Sequence, residues 1–261
     1  MIEEGLLLPM NVLLQGQKLT LLDPEMWFLR GNENKDVTLV ITIGNNKGYI
    51  LVITIGNNHQ KLMVVEDILL LIDRSQIEVT AGKVIYHPLR IDILSKLLAF
   101  IDESTGSVER EHHELFADAL PFASEVVLFS KVASEAWFLA TYLSSDNINE
   151  ILFQHLRKTE CYKLVRYLLS QSLIQTSLYD LGELYGVSYS HFRRLCSYAL
   201  GGKVKTELCG WRVARAVLEI IEGNSDMTTI AHKYGYSSSS HFSAEVKSRL
   251  GKTPRELCKK L

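Results

Sequence analysis

The sequence has no closely spaced pair of cysteines, no apolar stretch near the ~18 residues of a membrane span, and no phosphate-binding glycine loop or nucleophile elbow. The cysteines Cys161, Cys196, Cys209 and Cys258 form no CxxC motif. That excludes the common zinc frames, and their helical settings read as small hydrophobes in a reducing compartment. Glu3 and Glu4 stand where a signal peptide needs positive charge, and Pro9 interrupts the short apolar run there. The expectation is a cytoplasmic protein with no membrane segment. GNNKG and GNNHQ contain glycine but lack the strand-to-helix setting of a phosphate cradle. His112 and His113 are adjacent and point different ways, so with Glu109, Glu111 and Glu114 they read as a polar surface loop over 102–114. No catalytic constellation remains, which predicts a protein that is not an enzyme and holds no cofactor or metal.

What is present is a charge asymmetry. Residues 1–150 carry 11 Lys+Arg against 21 Asp+Glu, whereas residues 151–261 carry 17 against 9. A basic C-terminal part beside an acidic N-terminal part is the electrostatic footprint of a polyanion binder. It also sets the expected domains: a regulatory or interaction domain over 1–150 and a DNA-binding domain over 151–261.

Leu6 to Tyr86 is strand-like, with β-branched residues and alternation from Val37 to Ile43. LVITIGNN occurs at 39–46 and again at 51–58, and Asn45-Asn46-Lys47-Gly48 is turn chemistry. This pattern predicts a β-meander in which each copy supplies one strand, with an aggregation hazard if its edge is exposed. Further strands are expected at Asp67–Asp73, Gln76–Val79 and Val84–Tyr86. Pro88 is expected to open a helix whose buried face is Ile91, Leu94, Leu97, Leu98 and Ile101. A second helix is expected over Ser124–Leu143, with cap-and-turn residues at Ser144–Asn147. The fold class is α+β, with a β-rich N-terminal domain carrying helices and an all-α C-terminal domain.

That C-terminal part says nearly the same thing twice. His191-Phe192 precedes Leu200-Gly201, and His241-Phe242 precedes Leu250-Gly251, at a constant offset of 50. A lead helix is expected at 162–173, with Leu164, Tyr167, Leu168 and Leu173 inward. Leu178–Tyr185, a turn at Gly186-Val187 and a helix capped by Ser188 make one helix-turn-helix unit. Met227–Tyr234, Gly235-Tyr236 and a helix near 238–250 make the other. In the first, Phe192, Leu195, Ala199 and Leu200 should face inward, leaving Tyr189, Ser190, Arg193, Arg194 and Ser197 outward. Arginine suits guanine edges or phosphates, and Ser and Tyr suit backbone oxygens. In the second, Phe242, Val246 and Leu250 should face inward, and Ser239, Ser240, Ser243, Ala244 and Lys247 outward. One cation on that face predicts phosphate grip more than base readout. His191 and His241 read as packing or backbone-bonded residues. Val204–Ile221 has apolar residues at helical spacing (Leu208, Trp211, Val213, Ala214, Val217, Leu218, Ile221), and its roughly 27 Å length approaches the ~34 Å repeat of B-DNA. Arg212 and Arg215 on this linker helix read as packing or intrachain bonding before phosphate contact.

This arrangement resembles the AraC/XylS family of transcription activators, whose C-terminal domain is two helix-turn-helix units joined by a long helix. The resemblance rests on GVSYSHFRRL (186–195), Gly201, WRVARA (211–216), IAHKYGY (230–236), HFS (241–243) and GKTPR (251–255). Gly182, Val246 and Ala244 depart from the family's usual Ala, Phe and basic residue. HPLRIDILSKLLAFID (87–102), LRKTECYKLVRYLLSQS (156–172) and YGVSYSHFRRLCSYALGGK (185–203) are similar to the InvF/MxiE/YsaE branch, which activates type III secretion genes in enteric bacteria. That resemblance implies binding to promoter double-stranded DNA, contact with RNA polymerase and a type III secretion chaperone as coactivator. Two alternatives stay open: a regulator whose N-terminal domain senses a small metabolite, and an interaction protein that no longer uses its helix-turn-helix domain on DNA.

Overall fold

The computed structural model describes residues 10–30, 37–42, 50–55, 67–106, 117–121, 130–144, 147–171, 176–223 and 226–258. The chain divides into two compact units, Met1–Tyr162 and Lys163–Leu261.

The first unit is built on nine described strands: β1 (Asn11–Leu14), β2 (Lys18–Thr20), β3 (Glu25–Leu29), β4 (Val37–Thr42), β5 (Ile50–Ile55), β6 (Ile68–Ile72), β7 (Gln76–Ala81), β8 (Lys83–Pro88) and β9 (Ala117–Pro121). They form two antiparallel sheets, ordered β1-β8-β3-β6-β9 and β2-β7-β4-β5. The alternation read from Val37 onward is realised: Val37, Leu39 and Ile41 are buried while Thr38, Val40 and Thr42 are half-buried. The two sheets share one core, to which β3 gives Trp27 and Leu29, β4 gives Leu39 and Ile41, and β7 gives Ile77 and Val79. Trp27 stacks on Tyr86 with ring centroids 3.9 Å apart. β3 and β6 read as unbroken apolar runs because they are buried on both faces; Met26, Phe28, Leu69 and Leu71 are as inaccessible as Trp27 and Leu70.

Each copy of the duplicated segment supplies one strand, as the repeat predicts, and the two strands pair with each other. The turn at 45–48 lies outside the described residues, as do residues 6–9, His112, His113, Glu109, Glu111, Glu114, the 124–129 part of the second helix, and Leu173. Pro88 does not open a helix. It ends β8, opposite Trp27, and α1 (Ile91–Thr105) starts after Arg90. A proline at a strand end costs no ladder donor, so both placements are open to its chemistry.

Helices α2 (Lys131–Leu143) and α3 (Asn147–Arg157) follow. Ser130 caps α2 by accepting from the Ala133 amide. Phe138 of α2 meets Phe153 of α3 edge-on at 5.8 Å. Three polar ties hold α3 and the start of α4 (Glu160–Gln171) to α1 and the sheet. Arg157 grips Asp102 through two bonds of 2.8 and 3.0 Å. Thr159 Oγ1 lies 2.9 Å from Ser95 Oγ, and His155 Nε2 lies 2.9 Å from the Glu25 carbonyl.

The last tie makes stability depend on pH. The carbonyl only accepts, so His155 must present Nε2–H to it. Burial pushes its pKa down to about 4, partly offset by that bond and by Asp73. The unfolded chain therefore binds a proton near the ordinary pKa of ~6.5 while the folded chain stays neutral. This contribution is intact above that value and is lost as pH falls towards about 4. Between pH ~7 and ~5 it amounts to about 2 kcal/mol. In paired urea titrations at those two pH values, His155→Gln should lose less stability on acidification than the parent chain; equal losses would contradict the assignment.

The second unit is helical throughout its described residues. In α4, Leu164 and Leu168 are buried as expected, joined by Val165 and Leu169, while Tyr167 is half-buried. Then come α5 (Leu178–Leu184), α6 (Tyr189–Leu200), α7 (Val204–Glu222), α8 (Met227–Lys233), α9 (Ser239–Leu250) and α10 (Pro254–Cys258). The chain is thus α+β, with strands confined among its described residues to the first unit.

Candidate nucleic-acid interface

Both helix-turn-helix units are set by local chemistry. Ser177 caps α5 by accepting from the Asp180 amide, and Asp226 caps α8 by accepting from the amides of Thr228 and Thr229. Each first helix closes the same way. Val187 N–H donates to the Gly182 carbonyl and Gly186 N–H to Glu183; Tyr236 N–H donates to Ala231 and Gly235 N–H to His232. This paired closure needs a left-handed residue, and Gly186 and Gly235 supply it with φ of 84° and 75°. Ser188 and Ser238 then cap the second helices, accepting from the amides of His191 and His241. The two turns differ by one residue: four residues separate α5 from α6 and five separate α8 from α9.

In unit one, Phe192 is fully buried and Tyr185 and Tyr167 ring it at 5.8 and 6.5 Å. Gly182 faces it so closely that an added Cβ would lie 3.1 Å from Phe192 Cβ. The departure from the family's alanine therefore belongs to a tight helix crossing. The inward stripe is Phe192, Cys196, Ala199 and Leu200. Leu195, expected inward, is half-buried, and Cys196 takes the core position because it follows Phe192 by one full turn. Burial pushes the Cys196 thiol up to about 11 and that of Cys161 up to about 12, as befits small core hydrophobes.

The outward face of α6 carries Tyr189, Ser190, Arg193, Arg194 and Ser197, all exposed. The Arg193 guanidinium sits 5.7 Å from the centre of the Tyr189 ring. Arg194 Nη2 lies 3.3 Å from His191 Nδ1. Among the described residues no carboxylate is paired with either arginine, so two cations stand on one face next to two hydroxyls and a phenol. That set can donate to phosphate oxygens or base edges without first breaking an ion pair.

Unit two is quieter. Phe242 and Val246 are buried, packed with Val213, Val217, Ile230, Tyr234 and Tyr236. Leu250, expected inward, is 50% exposed, whereas its counterpart Leu200 is buried. The difference follows from what comes next: the nineteen-residue α7 follows α6, but only the five-residue α10 follows α9. Ser240, Ala244 and Lys247 are exposed, Ser239 is half-buried, and Ser243 is half-buried with its hydroxyl 3.7 Å from Met227 Sδ. Arg249 is engaged with Glu245 at 2.6 Å, which leaves Lys247 as the cation that extends this face.

On α7, Leu218 and Ile221 are exposed, while Val213, Ala216 and Val217 form the buried line. Arg215 donates to the Leu169 carbonyl at 3.2 Å and Arg212 stacks over Tyr236 at 5.9 Å, so both serve packing as the sequence implies. His191 and His241 are exposed, and the backbone amide of each completes a helix cap. Among the described residues no cluster of three or more His, Cys, Asp or Glu could hold a metal ion, and no helix is long and apolar enough to cross a membrane.

This helix-turn-helix geometry has relatives among known proteins. A family model described as a helix-turn-helix domain matches residues 181–260. The invasion protein InvF of Salmonella typhimurium is 42% identical over 202 residues, 76% of this chain and 92% of that protein. The transcriptional regulator MxiE of Shigella flexneri is 38% identical over 180 residues, 66% of this chain and 84% of that protein. Among solved structures, an AraC-type transcriptional regulator from Chromobacterium violaceum covers 37% of this chain and 87% of its own at 25% identity, with a TM-score of 0.35.

Proposed function

The chain belongs to the AraC-type helix-turn-helix transcription regulators related to InvF and MxiE, and from that premise we propose that it activates promoters of type III secretion and virulence genes. It is a DNA-binding regulator and not an enzyme. The observation that carries the proposal is the α6 face: Arg193 and Arg194, exposed and clear of carboxylates among the described residues, on the helix that follows the Gly186 turn. In this reading α6 enters the major groove, with its arginines on base edges or phosphates and Tyr189, Ser190 and Ser197 on backbone oxygens. The α9 face grips phosphate through Lys247 and the hydroxyls of Ser239, Ser240 and Ser243. The α7 rod, about 28 Å long, spaces the two readers along one duplex.

Activation then requires contact with RNA polymerase, and a secretion chaperone acts as coactivator in the cytoplasm through the acidic part, residues 1–150. The likeness to InvF over most of the chain supports this. Reconstituted transcription should rise only when the chaperone is added to regulator, polymerase and promoter. Full activation without it would remove the coactivator.

The DNA contacts are tested by anisotropy titrations at fixed salt. Arg193→Ala and Arg194→Ala should each weaken cognate binding by about 1–3 kcal/mol and relax sequence preference. Lys247→Ala should weaken cognate and unrelated DNA alike and reduce the salt slope by about one. If both arginine variants bind the cognate promoter like the parent, α6 is not the reader.

A further inference from the structure

The four-stranded sheet ends in a strand without the usual protections of an exposed edge. Among the described strands, β5 pairs with β4 alone. It is six residues long, Ile-Leu-Val-Ile-Thr-Ile, with no charge, proline or glycine. The opposite end of the same sheet is guarded: β2 is three residues long and its Lys18 is paired with Glu78 at 3.0 Å. At the ends of the other sheet, β1 has four residues and β9 contains Asp118 and Pro121. Short length, charge and proline are how natural sheets avoid edge-to-edge pairing, and β5 has none of them.

The duplication makes this edge specific. Residues 51–55 repeat residues 39–43 letter for letter, and within the sheet the two copies lie antiparallel. Leu39 is opposite Ile53, Val40 opposite Val52 and Ile41 opposite Leu51. Val40 and Val52 are equivalent positions of the repeat, so the pairing is two-fold symmetric in sequence about them. The sheet thus already contains a strand of this sequence accepting another of the same sequence in a defined register. Along an antiparallel strand, backbone groups alternate between its two edges, so β5 directs toward its outer edge the groups that do not bond to β4.

We infer that β5 is a self-association edge, on which β5 of a second copy of this chain pairs antiparallel with Val52 opposite Val52. Leu51 is then opposite Ile53 of the second copy, and Ile50 opposite its Thr54. The two four-stranded sheets become one of eight strands. Because the same surface serves both copies, the contact is two-fold and closes at a dimer. This assembly does not depend on how the helical unit reads DNA.

The dyad gives a discriminating test on the full-length chain. Sedimentation at tens of micromolar should show a dimer for the parent. Val52→Lys and Val52→Glu each bring like charges together at the axis and should weaken self-association roughly ten-fold or more. Mixing the two variants in equal amounts should restore the dimer, because Lys then faces Glu. Amide exchange of the parent should show protection of 50–55 that grows with concentration, a readout that needs no variant to fold. A monomeric parent, a Val52→Lys dimer as tight as the parent's, a mixture that stays monomeric, or exchange at 50–55 that ignores concentration would each overturn the inference.

Discussion

Asp102→Ala is expected to destabilise the N-terminal unit by about 3–5 kcal/mol, more than any change at its surface. Asp102 is 1% exposed at the end of α1 and is gripped by two side chains from later in the chain. Arg157 of α3 donates Nε and Nη2 to its two oxygens, and the Tyr162 hydroxyl donates to Oδ2 at 2.7 Å. Burial works against the guanidinium charge, yet Asp102 holds the Arg157 pKa above the ordinary arginine value. Removing the carboxylate would leave a mostly buried cation with only the half-exposed Glu150 at 3.1 Å, and a phenol without its acceptor. The cost is that of stranded partners, not of one lost bond. Arg157→Met in the Asp102→Ala background should therefore recover part of the loss. Hydrogen exchange of peptides from α1 and α3 reads this directly. A double variant as unstable as two independent losses would show that the pair is not coupled.

That network is not legible in the sequence, and the reason is distance along the chain. Asp102 and Arg157 are 55 residues apart, and His155 reaches a carbonyl 130 residues away. No periodicity announces such partners; only the packing of α1, α3 and the sheet brings them together. The same holds for β9, whose Ala-Asp-Ala-Leu-Pro has weak strand preference and becomes a strand by pairing with β6. Leu250 and Leu200 make the point within the repeat: each precedes a glycine at the same place in its unit, and opposite burial is decided by the element that follows.

The helical unit is legible where its determinants are local. Ser188, Gly186 and Phe192 act within one or two turns, and the structure places each where the sequence does. Even there, aligning the second helices alone hides the one-residue difference between the turns. Cys196 escapes the predicted core stripe because a cysteine draws attention to its chemistry before its spacing. Arg193 and Arg194 are found because a buried stripe on a short helix leaves its other face no alternative.

The second large effect separates reading from folding. Phe242→Ala should destabilise the helical unit by about 3–5 kcal/mol, and Phe192→Ala by a similar amount, because each empties the centre of a helix-turn-helix core. Phe242 is fully buried between α8, α9 and α7, with the Tyr236 ring 5.1 Å away. The surrounding residues sit on three helices tied by caps and turns, so the cavity can collapse only by moving the α9 axis. Any such movement displaces Ser240 and Lys247, which are exposed on the same helix. Thermal unfolding of Phe242→Ala should therefore shift down while DNA binding also falls. Arg193→Ala should lose DNA affinity with its unfolding midpoint unchanged. If Phe242→Ala kept parental stability, the core packing described for unit two would be wrong. If Arg193→Ala lost stability in step with affinity, its side chain would be serving the fold and not the duplex.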